Sequence, residues 1–189
     1  ETDSLTAVYN SLEDRKKKVK LSHKLFKLVI RKNKTLAYDF AKKQLEISKK
    51  IDYKKGVGKA YRNIAYYYQH IPLPDSARYY FKKSIKIFND NNIKTEQCSA
   101  LNRFATFEII QGNFETALQL VDKMENIGID IKYGQIIVDA LQRKSVIYLD
   151  LADYASAMDV TLKSVTISDT ITPKYVMGKA IGLSDIGRI

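Results

Sequence analysis

Proton transfer and metal binding near neutral pH fall most naturally to histidine, and the chain has two, His23 and His70, 47 positions apart. Neither has a neighbouring Cys or His to complete a tetrahedral metal set, so both read as surface or groove residues, with no metal and no cofactor expected. Cys98 is the lone cysteine. It can form no intramolecular disulfide, nothing around it marks a nucleophile, and its expected role is small apolar packing. Gly56-Val57-Gly58-Lys59 has the glycines and the lysine of a phosphate-cradling loop. Such a loop needs Gly-x-x-x-x-Gly-Lys-Ser/Thr after a strand, whereas Ala60 follows here and no strand precedes, so the segment reads as a helix start with flexible glycines. No catalytic constellation emerges, and the expectation is a protein that binds rather than catalyses.

The elements that would carry these residues are helical. Only three prolines and eight glycines occur in 189 residues that are 45% hydrophobic and 28% charged, which favours an all-α globular chain over a turn-rich β architecture. Apolar runs such as Leu28-Val29-Ile30 are far too short to span a bilayer. The net charge of +11 is unevenly placed: residues 1–95 carry 23 Lys/Arg against 9 Asp/Glu, and residues 96–189 carry 9 against 12. The stretch Arg15 to Lys34 holds ten basic residues and no acidic one. It reads as a solvated outer face, or as a surface that steers an acidic partner, anionic lipid or nucleic acid.

Displacing the sequence by 40 brings four columns into phase: Ala37, Ala77, Ala117 and Ala157; Lys43, Lys83, Lys123 and Lys163; Ile47, Ile87, Ile127 and Ile167; and Ala60, Ala100, Ala140 and Ala180. Each unit reads as two amphipathic helices with a short polar break. In the clearest one, Ile64, Ala65 and Tyr68 share a face, Ile71-Pro72-Leu73-Pro74-Asp75 stops the helix, and Asp75 is the expected N-cap of the next. Ala77, Phe81, Ser84 and Ile85 then face inward, and Asn89-Asp90-Asn91-Asn92 ends the unit. Gly112-Asn113-Phe114 and Ala152-Asp153-Tyr154 are the corresponding breaks further on, each a stop joined to a cap. The recurrent alanine lets two helices of a hairpin approach closely. The expected organisation is a single repeat domain over 1–189: a short helix within 1–13, repeats at about 14–53, 54–93, 94–133 and 134–173, and the first helix of a further repeat in 174–189. There the small position is Asp185 if Ala180 keeps phase, or Gly187 if two residues are inserted near Thr172-Pro173; the second is preferred because a buried Asp is costly. An array that breaks off within a repeat is expected to be part of a longer protein.

Tyr61, Ile64, Ala65 and Tyr68, followed by Ala77, Phe81 and Ser84, resemble the tetratricopeptide repeat (TPR). The next copies align Leu101, Phe104, Ala105 and Glu108 with Ala117, Val121 and Met124, then Leu141, Lys144, Ser145 and Tyr148 with Ala157, Thr161 and Ser164. Glu108 and Lys144 depart from the pattern, and each is expected to lie along apolar surface with its charge outside. The likeness runs from about residue 15 to the end, with a period of 40 in place of 34 that implies longer helices. It implies a right-handed superhelical array of antiparallel helix hairpins, a TPR-like α-solenoid. The run from Leu36 to Ala41, continued through Ile51 to Gly56, and the opening Asp3-Ser4-Leu5, are similar in style to the N-terminal repeats of bacterial sensor histidine kinases and helix-turn-helix transcriptional regulators.

By this resemblance the first helix of each repeat lines a groove, whose candidate partner-binding residues are Lys59, Arg62, Tyr66 and Gln69, then Ser99, Asn102, Thr106 and Ile109, then Asp139, Gln142 and Val146. Tyr66 and Arg62 offer the aromatic and forked cationic contacts that dominate peptide recognition, although Tyr66, Tyr67 and Tyr68 serve equally well as filling between helices. The carboxylate clamp of chaperone-tail binders in the family is not expected: Asn63 and Arg103 match two of its positions, but Ser22, Phe26 and Ser99 occupy the rest. The resemblance implies a protein- or peptide-binding module, the sensor or assembly region of a larger bacterial signal-transduction protein. A free-standing scaffold or cytoplasmic peptide-responsive regulator is the alternative, and a basic nucleic-acid-binding module the weaker third. Contact with a membrane is expected only through a parent protein, with a periplasmic location in a membrane-bound sensor and a cytoplasmic one otherwise.

Overall fold

The structure, a computed structural model, describes residues 2–171 and, beyond them, 180–182, 184, 186 and 187. Its helices are α1 (Thr2–Ser11), α2 (Arg15–Val29), α3 (Lys34–Lys50), α4 (Lys54–His70), α5 (Pro74–Asp90), α6 (Lys94–Ile110), α7 (Phe114–Asp130), α8 (Gly134–Asp150) and α9 (Tyr154–Thr170), with no strand among the described residues. From α3 to α9 every helix is 17 residues long and every link three, so the 40-residue period is two copies of a 20-residue rhythm. Three-residue links force successive helices to double back. Accordingly α2 packs on α3, α3 on α4, α4 on α5, α7 on α8 and α8 on α9, while α2 also meets α4, the first helix of the next hairpin. This is a TPR-like helical-hairpin repeat. It forms two compact units, Glu1–Ala100 and Leu101–Ile189, whose boundary falls inside α6.

The links explain the rhythm. Asp52, Asn92, Gly112, Lys132 and Ala152 all have φ between 50° and 74°, the left-handed conformation, and stand at the same place in their breaks. That geometry turns the next amide back onto the helix just ended: Tyr53 N–H donates to Ser48 O, Ile93 to Phe88 O, Asn113 to Glu108 O, Tyr133 to Gly128 O and Asp153 to Tyr148 O, satisfying carbonyls left open at the helix end. Only Gly112 takes this conformation without steric cost. Caps are more varied than the sequence suggests. Asp14, Asn33 and Asp153 accept from Lys17, Leu36 and Ser156 N–H. Asp75 does not cap α5: Pro74 fits the first helical position, which makes Leu73 the cap residue, and Asp75 lies one residue inside the first turn, paired with Arg78 at 3.2 Å. Asn113 precedes α7 but its side chain makes no cap bond, because its amide donates to Glu108 Oε2 at 2.7 Å.

Ala37, Ala77, Ala117 and Ala157 are fully buried, as close hairpin approach requires. Replacing Ala117 by leucine is expected to overpack this contact and cost about 1–3 kcal/mol, read as a lower urea midpoint; an unchanged midpoint would place Ala117 outside the hairpin contact. Ala60, Ala100 and Ala140 are buried too, but Ala180 is exposed and Gly182 is buried instead, where an added Cβ would come within 2.7 Å of Val165 Cγ2. Gly182, two residues past the phased Ala180, thus takes the buried place. Gly187 is exposed, and Asp185 lies outside the described residues.

The two departures from the TPR pattern resolve differently from expectation. Glu108 is only 1% exposed and holds Asn113, so its charge is inside rather than out. Lys144 is mostly covered and meets Asp122 at 2.7 Å and Glu125 at 2.6 Å. Burial alone would depress its pKa, but those two carboxylates raise it. Cys98 is buried, which pushes its thiol up to about 11 and removes any thiolate reactivity at neutral pH.

The tyrosine-rich stretch of α4 splits between two sides. Tyr67 stacks on Tyr38 at 4.5 Å and Tyr68 on Tyr80 at 5.4 Å, filling the space among α3, α4 and α5, with Lys42 over Tyr38 and Lys83 over Tyr79. Tyr66 points elsewhere, edge-on to Phe26 of α2 and to His70. No helix among the described residues is long and apolar enough to cross a membrane.

Candidate functional site

Helix periodicity places Lys55, Lys59, Arg62 and Tyr66 on one stripe of α4, at successive offsets of four, three and four residues. In the unit formed by Glu1–Ala100, the stripe faces the first turns of α6. Glu96 is the focus: its Oε1 lies 3.1 Å from Lys55 Nζ and 2.7 Å from Lys59 Nζ, and its Oε2 lies 3.4 Å from Arg62 Nη1. Arg62 Nη1 also donates to Ser99 Oγ at 2.8 Å. Arg62 is 6% exposed, so its guanidinium is held where water screens it poorly. Burial pushes the Glu96 carboxyl up, but hydrogen bonds from Lys59 and Lys55 and the charges of Lys59 and Arg62 outweigh it and bring the pKa below the ordinary value.

Behind Arg62 runs a buried polar chain. Asn63 Nδ2 donates to Gln44 Oε1 at 2.8 Å and faces His23 Nδ1 at 2.9 Å, while Gln44 Nε2 reaches Gly56 O at 3.4 Å. An amide donor there requires His23 Nδ1 to be an acceptor, so the neutral ring carries its proton on Nε2. Burial first, then the charges of Arg62, Lys59 and Lys27, hold the His23 pKa at about 4. The ring is neutral at pH 7.

The sequence-derived residues thus fall into groups. Lys59, Arg62 and Ser99 come together around Glu96, and Tyr66 sits further along the same stripe with Gln69 half-buried beyond it. In the unit formed by Leu101–Ile189, Asn102 Oδ1 accepts from Arg143 Nε at 2.9 Å, and Thr106 Oγ1 turns back to Asn102 O at 2.8 Å. Ile109, Asp139, Gln142 and Val146 are half-buried on α6 and α8. Sequence reasoning missed Glu96, Lys55, Gln44 and Arg143, and left His23 without a partner. The signal for His23 was present, since His23 and Asn63 are one 40-residue period apart and so occupy the same position on neighbouring first helices. A separate open cleft of about 600 Å³, lined by Asn10, Arg15, Lys18, Ile47 and Lys50 among others, shares no residue with this face.

What the face can do chemically is hold anionic and polar groups: three cations and a serine hydroxyl converge, with Tyr66 further along the same stripe. Comparison with known proteins bears on the fold. No protein-family model matches the chain, and no curated protein matches it in sequence. Among solved structures, aspartyl phosphate phosphatase F from Bacillus subtilis superposes with a TM-score of 0.75 at 16% identity, over 84% of this chain and 42% of its own. BtubC (BKLC) from P. vanneervenii gives 0.68 at 15% identity, over 84% of this chain and 66% of its own. NprR in complex with its cognate peptide NprX gives 0.62 at 18% identity, over 98% of this chain and 55% of its own. At these identities the likeness is one of fold, and the chain spans less than two thirds of each of these proteins.

Proposed function

We propose that the chain is a peptide- or protein-binding repeat module that acts by binding rather than by catalysis. The observation that carries this reading is the cation-lined stripe of α4, where Lys55, Lys59 and Arg62 converge and the partly exposed Tyr66 follows four residues beyond Arg62. Forked cations and tyrosines are the residues that anchor peptides most strongly. The fold supports it as well, because stacked hairpins present long surfaces of first helices to a partner. One structural neighbour, NprR, was solved with its cognate peptide, which favours a peptide-responsive regulator over an inert scaffold. In this reading the module is the sensor or assembly region of a larger bacterial signalling protein, a histidine kinase or a transcriptional regulator.

The test is to pass a random hexapeptide pool over the immobilised protein and identify what is retained by mass spectrometry. Peptides recovered above a serum-albumin control are expected to bind in solution and to lose about tenfold in affinity on Tyr66→Ala, with circular dichroism confirming an intact helix signal. Retention no greater than the control at 50 μM protein would sink the reading.

A further inference from the structure

On α3, α5 and α9 an exposed lysine answers a carboxylate one turn away: Lys42 meets Asp39, Lys50 meets Glu46, Lys86 meets Asp90 and Lys163 meets Asp159, at 2.6–3.1 Å. α2 departs from this plan. Lys16, Lys17, Lys20, Lys24 and Lys27 are all exposed, and none of them forms an ion pair with a carboxylate among the described residues. Helix geometry gathers the five within about 100° of the circumference, opposite the buried Val19, Ser22, Phe26 and Val29, along about 16 Å of axis. Arg31 and Lys32, exposed in the link that follows, carry the positive charge onward. No acidic residue occurs from Arg15 to Lys34, and of the two just before, Asp14 is taken up in capping the helix. Like charges three and four residues apart, as in Lys16, Lys20, Lys24 and Lys27, weaken a helix, so the stripe is a standing cost to α2 that its buried face does not require.

We propose that this face of α2 binds the phosphate backbone of a nucleic acid duplex without reading its sequence. Charge and spacing are complementary: a duplex carries one negative charge per about 1.7 Å of axis, so about 16 Å of stripe passes nine or ten phosphates, about half on the near side, against five ammonium groups. Other polyanions fit less well. Lasting attachment to an anionic membrane adds apolar side chains that enter the bilayer. Here Leu21 and Leu28, which flank the stripe, pack against the core, and no residue of α2 is an exposed large hydrophobic. A single strand is held by rings on which its bases stack, and the lysine arc presents none; Tyr53, 5.8 Å below Lys16 Nζ, is half-buried. An extended acidic peptide turns alternate side chains away and so offers one carboxylate per about 6.6 Å, half the density of the stripe. Neither Tyr66 nor the cations of α4 enter this inference, which stands or falls apart from the peptide-binding reading.

The test is fluorescence anisotropy of the full chain, up to about 50 μM, with labelled mixed-sequence duplexes of about 20 base pairs, one of DNA and one of RNA, in about 50 to 200 mM salt. At least one duplex is expected to bind, with the logarithm of the association constant falling against that of the salt concentration at a slope of about −4 to −5 for five phosphate contacts. The two arms tell which duplex is preferred. Lys20→Gln combined with Lys24→Gln, both at exposed positions, is expected to weaken binding about tenfold and to make the slope shallower by about two, with circular dichroism confirming an intact helix signal. Lys163→Gln, which removes an exposed lysine paired with Asp159 on α9, is expected to change the affinity by less than about twofold. No anisotropy change with either duplex at about 50 mM salt, or an equal loss in Lys163→Gln and the double variant, overturns the proposal. So does tighter binding of a single strand of the same length, or release of the duplex by phosphatidylserine vesicles or polyglutamate at the same concentration of negative charge. Those results assign the stripe to an unpaired strand, a membrane surface or an acidic protein instead.

Discussion

Gly58→Ala will lower the melting temperature by about 6–12 °C, the equivalent of about 3 kcal/mol for a chain of this size. The sign is not obvious, because alanine is the better helix former by about 1 kcal/mol and Gly58 lies inside α4. Packing decides it. A Cβ at Gly58 would sit 2.4 Å from Phe88 Cε1, 2.6 Å from Cζ and 2.9 Å from Cδ1, where carbon atoms prefer about 3.5–4 Å. Phe88 is fully buried, so its ring has no solvent to swing into, and Ser84 Oγ ties the same backbone by donating to Gly58 O at 2.8 Å. The α4–α5 hairpin must therefore open or the ring must leave its rotamer. Shrinking the ring should relieve the clash, so Gly58→Ala combined with Phe88→Leu is expected to be less destabilised than the sum of the two single changes by about 1.5–3 kcal/mol. Thermal melts of the three variants decide it, and additive losses would show that the two residues do not meet. The phosphate-loop appearance of Gly56 to Lys59 has the same origin: these glycines are close-approach positions rather than flexible ones.

This example marks what a single sequence can express. Helices and breaks were legible because a 20-residue rhythm repeats the same problem seven times, and each solution leaves the same trace: a small residue where helices touch, a polar or glycine break where they end. Where one local solution competes with another, the trace misleads. Asp75 has the chemistry of a cap, but Pro74 pre-sets the first helical position one residue earlier. Ala180 keeps the numerical phase, but the close helix approach falls at Gly182, which holds the buried place. Glu108 and Lys144 looked like solvent-facing exceptions since Asn113, in the link after α6, and Asp122 and Glu125, on the preceding helix α7, carry no mark of the pairing. The candidate face was half legible for a related reason. Contacts one period apart, such as His23 with Asn63, can be read by adding 40, whereas Glu96 meets Lys59 and Arg62 at separations of 37 and 34, one helical turn or two off phase. Reading the period together with the turn spacing of each helix recovers those contacts as well.

Mild acid will destabilise the protein through His23 before its carboxylates matter. The folded-state pKa of about 4 lies below the ordinary 6.5, so between these values the unfolded chain binds a proton that the folded chain refuses. Stability therefore rises with pH across this window: the contribution is complete above about 6.5 and is lost as pH falls toward 4. The cause is geometric. Protonation would put a charged ring in a largely covered site beside Lys27 of its own helix and Lys59 and Arg62 of α4, with Glu96 of α6 opposing them less strongly. It would also turn Nδ1 into a donor facing Asn63 Nδ2, whose other hydrogen is already given to Gln44. Two pKa units correspond to about 2–3 kcal/mol, so unfolding free energies from urea titrations should fall by that amount between pH 6.5 and 4.5, with the midpoints falling in step. Glu96, Asp14, Glu46 and Asp153 have depressed pKa values and give up their contributions mainly at lower pH, as they are protonated. His23→Gln separates the two: its amide can still accept from Asn63 but cannot titrate, and its midpoint is expected to stay nearly flat down to about pH 5. A wild-type midpoint as flat as that of His23→Gln over the same range would mean that the imidazole is solvated and charged, and that the Asn63 chain is not what holds this face together.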